Sequence, residues 1–200
     1  MTNALALVCT LKKSPTPSST EILAREVLDE LAEHGVSGNL IRVVDHDVRF
    51  GVSVDEGDGD AWPTIREQLL RSEIVVLATP IWMGQPASVA KMTMERLDAE
   101  LSETDSSGRP TMSGKVALVA VVGNEDGAHH VVAETLQALN DVGFSVAPAA
   151  GTYWVGEAMG STDYKDLEPK PEKTRDTTRT AVANAVHLAG LLKDHLYPKS

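Results

Sequence analysis

The chain has 200 residues, 42% hydrophobic and 24% charged, the composition of an ordinary soluble globular protein, and its length suits one domain over residues 1–200. A net charge of -11 argues against a nucleic-acid partner, and a single cysteine, Cys9, excludes an intramolecular disulfide or a cysteine metal cluster. No apolar run reaches the ~20 residues of a membrane span, and the first apolar run lacks a preceding cationic segment, so a cytoplasmic protein without a membrane partner is expected.

Ala4 to Thr10 reads as a first strand, short, almost wholly apolar and followed at once by lysine, serine and proline. Cys9 falls inside it and is expected to be a buried small hydrophobe rather than a reactive thiol. After the loop TLKKSPTPSST, a helix from about Glu21 to His34 is supported by Ala24, Val27, Leu28 and Leu31 and stopped by Gly35. Ser18, Ser19 or Thr20 would cap it. First-turn N–H groups, neighbouring hydroxyls and the charges of Lys12 and Lys13 suit an anion such as a phosphate monoester, and an ordinary capped helix explains the same residues equally well. Neither a nucleoside-triphosphate loop nor a Rossmann dinucleotide fingerprint is present.

Asn39 to Val44 is the second expected strand, followed by the acidic connection Asp45 to Asp60. The acidic spacing there lacks the final glutamate of a calcium-binding loop, so a solvated loop is expected and no metal site. Ala61 to Arg71 should be a helix. Glu73 to Thr79, with Ile, Val and Leu and no polar alternation, reads as a strand covered on both faces at the centre of a parallel sheet. Thr79 to Pro86 then places Trp82, Met83 and Gly84 in a loop at that strand's carboxyl end, where ligands of open α/β sheets bind.

Ser88 to Leu101 continues as a helix, and Ser102 to Ser113 as an exposed loop. Lys115 to Val122 is a fourth strand ending in the glycine-containing loop Gly123 to His130, which opens a helix to about Val142. Adjacent His129 and His130 point in different directions on a helix and are expected to be solvated or packing residues. Phe144 to Ala147 is a short fifth strand, Gly151 to Pro171 an irregular segment with Tyr153 and Trp154, and Arg175 to Leu196 a closing helix. The alternation implies an α/β, doubly wound, five-stranded parallel sheet of order 2-1-3-4-5 with helices on both faces.

Three stretches resemble the NAD(P)H-dependent FMN reductase group of the flavodoxin-like superfamily. They are the hydroxyl-rich loop after the first strand, A-T-P-I-W-M-G-Q-P-A-S-V-A-K after the third, and G-N-E-D-G-A-H-H after the fourth. The middle stretch is similar to the family's T-P-x-Y/W-x-x-x-x-x-x-x-x-K pattern, and the tail A-G-T-Y-W-V-G-E-A-M-G-S-T-D-Y-K-D resembles a region of flavodoxin-family proteins. The resemblance implies FMN as cofactor and NAD(P)H as donor. It implies Thr10, Lys12, Ser14, Ser18, Ser19 and Thr20 around the phosphate, and Pro80, Ile81, Trp82, Met83 and Gly84 along the ribityl chain and one ring edge. Gly123, Asn124 and Gly127 would stand at the other side. One departure stands out: where the family has G-S-x-R, this chain has C-T-L-K, with Lys12 in place of a forked arginine contact.

The implied reaction takes a hydride from the nicotinamide to FMN and on to a small acceptor such as a quinone or free flavin, without a catalytic side chain. Backbone N–H groups of the Trp82 to Gly84 loop would favour the reduced ring. The alternatives are a flavodoxin-type electron carrier without NAD(P)H activity and a scaffold that has lost its cofactor. A homodimer or homotetramer is implied, with the helix after the third strand in its interface; Met92, Met94 and Leu97 suit that interface or, equally, the chain's own core.

Overall fold

The computed structural model describes residues 2–198. Its elements run β1 (Thr2–Val8), α1 (Ser19–Glu33), β2 (Val36–Arg42), α2 (Trp62–Leu70), β3 (Ile74–Trp82), β4 (Gln85–Pro86), α3 (Ser88–Leu97), β5 (Val116–Gly123), α4 (Ala128–Asp141), β6 (Ser145–Val155) and α5 (Glu172–Asp194). The sheet order is β2-β1-β3-β5-β6, with β4 turned back antiparallel on β3. Its five principal strands are all parallel, in the doubly wound, flavodoxin-like order 2-1-3-4-5.

The strands lack polar alternation because both faces of the sheet are covered. Leu5, Leu7, Val75, Leu77, Ala117 and Val119 pack on one side against α2, α3 and α4 through Trp62, Ile65, Ala90, Leu97, Val131 and Leu139. On the other, Ala4, Ala6, Val8, Val76 and Leu118 meet α1 and α5 through Leu23, Val27, Leu31, Val182 and Ala185. Cys9 is fully buried, and burial pushes its thiol up to about 12. That suits a packing residue rather than a nucleophile.

Several boundaries differ from the sequence expectation. β3 continues through Pro80 to Trp82 and folds back into β4, so the expected loop Thr79 to Pro86 is the end of a strand and a hairpin. β6 extends to Val155 instead of ending at Ala147, because its register on β5 shifts between Ala117 and Val119, with Ala149 in the left-handed region at φ 58. The tight local sequence A-P-A-A-G masks the continuation, and Tyr153 and Trp154 are strand residues.

α3 stops at Leu97 and passes into a 3-10 turn over Asp98–Ser102, shorter than the expected helix. Met92, Met94 and Leu97 are buried in this chain's own core, the second of the two places expected for them. β2 starts at Val36, three residues before the expected Asn39, and α5 starts at Glu172 rather than Arg175. Among the described residues no helix is long and apolar enough to cross a membrane.

The acidic connection after β2 is not simply a solvated loop. Its last residue, Asp60, has a buried side chain paired with the equally buried Arg96 of α3 at 2.8 Å. Arg96 also donates to the carbonyls of Arg49 (2.9 Å) and Ser53 (2.8 Å), which gathers the connection around one guanidinium. Burial alone pushes the Asp60 carboxyl upward. N–H bonds from Glu56, Trp62 and Arg49, with the guanidinium, outweigh it and hold the carboxyl at about 2.

Candidate functional site

Parallel pairing brings the strand ends together. Val8 lies beside Ala78, Pro80 beside Val122, and Val122 beside Trp154. The chain leaves β1, β3, β5 and β6 at one rim, where a cavity of about 410 Å³ opens. Ligands of open α/β sheets bind at this rim.

One end of the cavity is the start of α1. The Ser18 hydroxyl accepts the N–H of Glu21 (3.3 Å), and the Ser18 carbonyl accepts that of Ile22 (3.1 Å). The N–H groups of Ser19 and Thr20 have no acceptor among the described residues, as expected in a first helical turn. The preceding loop is braced from β2. Arg42 donates to the carbonyls of Lys12 (3.1 Å) and Thr16 (2.9 Å) and pairs through Nε with Glu21 (2.8 Å). Burial pushes the Glu21 carboxyl up, but hydrogen bonds from Arg25 and Arg42 more than offset it and hold it below the usual range.

The walls are aromatic and apolar. Ile81 and Trp82 come from β3, with Trp82 half-exposed, and Val122 and Trp154 from β5 and β6. Tyr164 packs beside Trp154 with ring centroids 5.5 Å apart. Its hydroxyl donates to Glu26, and burial with that carboxylate pushes the phenol up.

The far end is polar. Asn124 donates to the Gly160 carbonyl (3.3 Å) and to Asp163 (3.2 Å), while its own Oδ1 is buried without a hydrogen-bond partner among the described residues. Glu125 also lines the cavity and accepts the Gly84 N–H at 3.0 Å. Gly127, at φ 122, packs so tightly on this hairpin that a Cβ there would lie 2.8 Å from the Gly84 Cα.

Of the residues implied from sequence, the cavity gathers Thr10, Lys12, Ser18, Ser19, Thr20, Pro80, Ile81, Trp82, Gly123 and Asn124. It does not gather four others. Ser14 is turned to Asp45, donating through its N–H (2.8 Å) and its hydroxyl. Met83 is 92% exposed beyond the hairpin, Gly84 gives its N–H to Glu125, and Gly127 supports the hairpin from behind. The lining also includes Leu11, Val122, Glu125, Trp154, Met159, Asp163, Tyr164 and Lys165. Most of these come from the tail whose aromatic and glycine content, G-T-Y-W-V-G, was the available signal. Tyr153 points to the opposite face, where its hydroxyl meets His129 at 2.8 Å, and His130 lies 3.2 Å from Gln85.

The residues fit a flavin mononucleotide. Unpartnered first-turn N–H groups, hydroxyls and Lys12 suit a phosphate, the indoles suit a flat ring, and the orphaned Asn124 oxygen suits a polar ring edge.

Comparison with known proteins bears on the same residues. The chain is 33% identical over 206 residues to 8-demethyl-8-aminoriboflavin-5'-phosphate synthase of Streptomyces davaonensis, covering 97% of this chain and 79% of that protein. The crystal structure of RosB, holding the intermediate 8-demethyl-8-formylriboflavin-5'-phosphate, superposes with a TM-score of 0.90 at 32% identity, covering 98% of this chain and 82% of RosB. The chain is also 34% identical over 197 residues to the divalent metal cation transporter MntH of Mycobacterium bovis. There it covers 95% of its own length and spans only 29% of the relative. The family described as NADPH-dependent FMN reductase matches residues 2–159. Sheet order, rim cavity and sequence agree, and the chain belongs to the NADPH-dependent FMN reductase family, whose cofactor is FMN and whose electron donor is a nicotinamide nucleotide.

Proposed function

We propose that the rim cavity binds FMN and that the protein is an NAD(P)H-dependent oxidoreductase acting on a small acceptor such as a quinone or free flavin. The observation that carries this reading is one continuous cavity joining the start of α1 to Trp82, Trp154 and Asn124. FMN held there would supply two-electron redox chemistry between a nicotinamide and the acceptor. The chain's own part is to bind and orient. Ser18, Ser19, Thr20 and Lys12 would hold the phosphate, Trp82 and Trp154 would contact the ring, and Asn124 would offer an acceptor to its polar edge.

The geometry argues against one expectation, that Gly84 aims its N–H at the ring, since that N–H already donates to the Glu125 carboxylate. The half-exposed Trp82 leaves room at the mouth for a nicotinamide and then an acceptor.

The likeness to RosB favours a second reading, in which a flavin 5'-phosphate is the molecule being altered rather than a resident cofactor. It extends past residue 159, where the family match stops, and includes the cavity wall of Asp163 to Lys165. One experiment addresses both readings. FMN-loaded protein is mixed anaerobically with NADPH or NADH, then given a quinone, and the flavin is recovered for mass spectrometry. Bleaching, recolouring and an unchanged flavin mass support the oxidoreductase. A flavin changed in mass supports the second reading, and a colour untouched by either nucleotide rules out the first.

A further inference from the structure

The α1 end of the cavity holds a second cation, which lies outside the residues that the family matches. Lys165 lines the cavity beside Lys12, Ser18, Ser19 and Thr20, yet lies beyond Met159, where the family match ends. It stands on a strap, residues 156–166, pinned to both ends of the site. At the ring end, the Met159 N–H bonds to the Asn124 carbonyl (3.2 Å), and the Asn124 amide holds Gly160 and Asp163. At the phosphate end, the Lys165 N–H bonds to the Ser19 hydroxyl oxygen (3.2 Å).

That last bond has two effects. It sets the position of Lys165 against the first turn of α1, and it occupies an acceptor site of Ser19, leaving the hydroxyl proton free to be donated elsewhere. The Lys165 ammonium has three N–H donors, of which two go to Asp163 and Asp166, each at 2.7 Å. The third has no acceptor among the described residues. Arg42 cannot serve in its place, because its guanidinium is committed to Glu21 and to the loop carbonyls.

We infer that Lys165 strengthens the site's selection of flavin 5'-phosphates over unphosphorylated flavins, beyond what Lys12 and the start of α1 provide. The inference rests on the flavin reading proposed above. The ammonium donates its remaining N–H and its charge to the phosphate beside the Ser19 hydroxyl and the α1 N–H groups. Asp163 and Asp166 hold the ammonium in place, and their own charge opposes the phosphate. Selectivity is therefore set by contributions of opposite sign, and the two kinds of variant must move it in opposite directions.

The test is the dissociation constant of FMN and of riboflavin, read by quenching of flavin fluorescence, for wild type, Lys165→Gln and Asp166→Asn, with urea midpoints confirming folding. Lys165→Gln is expected to weaken FMN roughly tenfold, the scale of one charged hydrogen bond, and to leave riboflavin within about twofold. Asp166→Asn is expected to raise the preference for FMN over riboflavin. A preference undiminished by Lys165→Gln, an equal loss for both flavins, a preference that fails to rise in Asp166→Asn, or a wild type binding both equally would overturn the assignment. A wild type that binds neither overturns the flavin reading itself.

Discussion

Asp60 and Arg96 show how much structure two residues can carry. Both side chains are fully buried, and together they organise the long acidic connection and fix the far end of α3, the helix that follows the Trp82 hairpin. Removing one partner leaves an uncompensated buried charge, so Asp60→Asn should cost about 3 kcal/mol in urea unfolding. The pH dependence has a definite sign. The carboxyl is held at about 2 in the folded protein against an ordinary 3.8, so the unfolded chain takes up its proton first as pH falls. The carboxylate's contribution, from the N–H bonds of Glu56, Trp62 and Arg49 together with Arg96, is roughly 2 to 3 kcal/mol, complete above about pH 4 and lost between pH 4 and 2. Asp60→Asn should lack that part of the acid slope. A variant with the same slope as wild type would show that other carboxylates govern acid unfolding.

Among the elements, the loop between β1 and α1 depends on a strand that does not line the cavity. Arg42, at the end of β2, ties Lys12 and Thr16 to Glu21, and Ser14 is tied to Asp45. Arg42→Ala should speed hydrogen exchange across residues 11–18 and weaken FMN about tenfold, with little change in the protection of β1 and β3. Unchanged exchange in the loop would mean that the prolines alone hold it. The sequence already showed the strands at the centre of the sheet, because residues such as Ile74 to Leu77 are covered on both sides and carry no polar positions. It also showed the three loops that reach the rim, through their hydroxyls, Trp82 and glycines. It hid whatever depends on pairing between distant residues. Nothing local announces that Arg42 braces the first loop, that Asp60 is buried by Arg96, or that Glu125 takes the Gly84 N–H. From sequence β6 ends at Ala147, just before Pro148, and only pairing with β5 carries the ladder on past the left-handed Ala149.

At the scale of the whole molecule, a chain of net charge -11 is read as holding a phosphate ester, against its overall field. Local donors must outweigh distant charge, and at physiological ionic strength charges beyond ~8 Å are largely screened. The sheet makes this possible by bringing the ends of β1, β3, β5 and β6 to one rim, so the start of α1, the indoles of Trp82 and Trp154, and Asn124 share one cavity. The central claim is that this cavity is a flavin mononucleotide site, and it is tested most directly by titrating FMN into wild type and Asn124→Ala while following flavin fluorescence. The account predicts saturable quenching at one FMN per chain in wild type, with affinity about tenfold weaker when the orphaned Asn124 oxygen is removed. Flavin fluorescence that stays at its free value through the titration, or an Asn124→Ala variant that binds as wild type does, would contradict it.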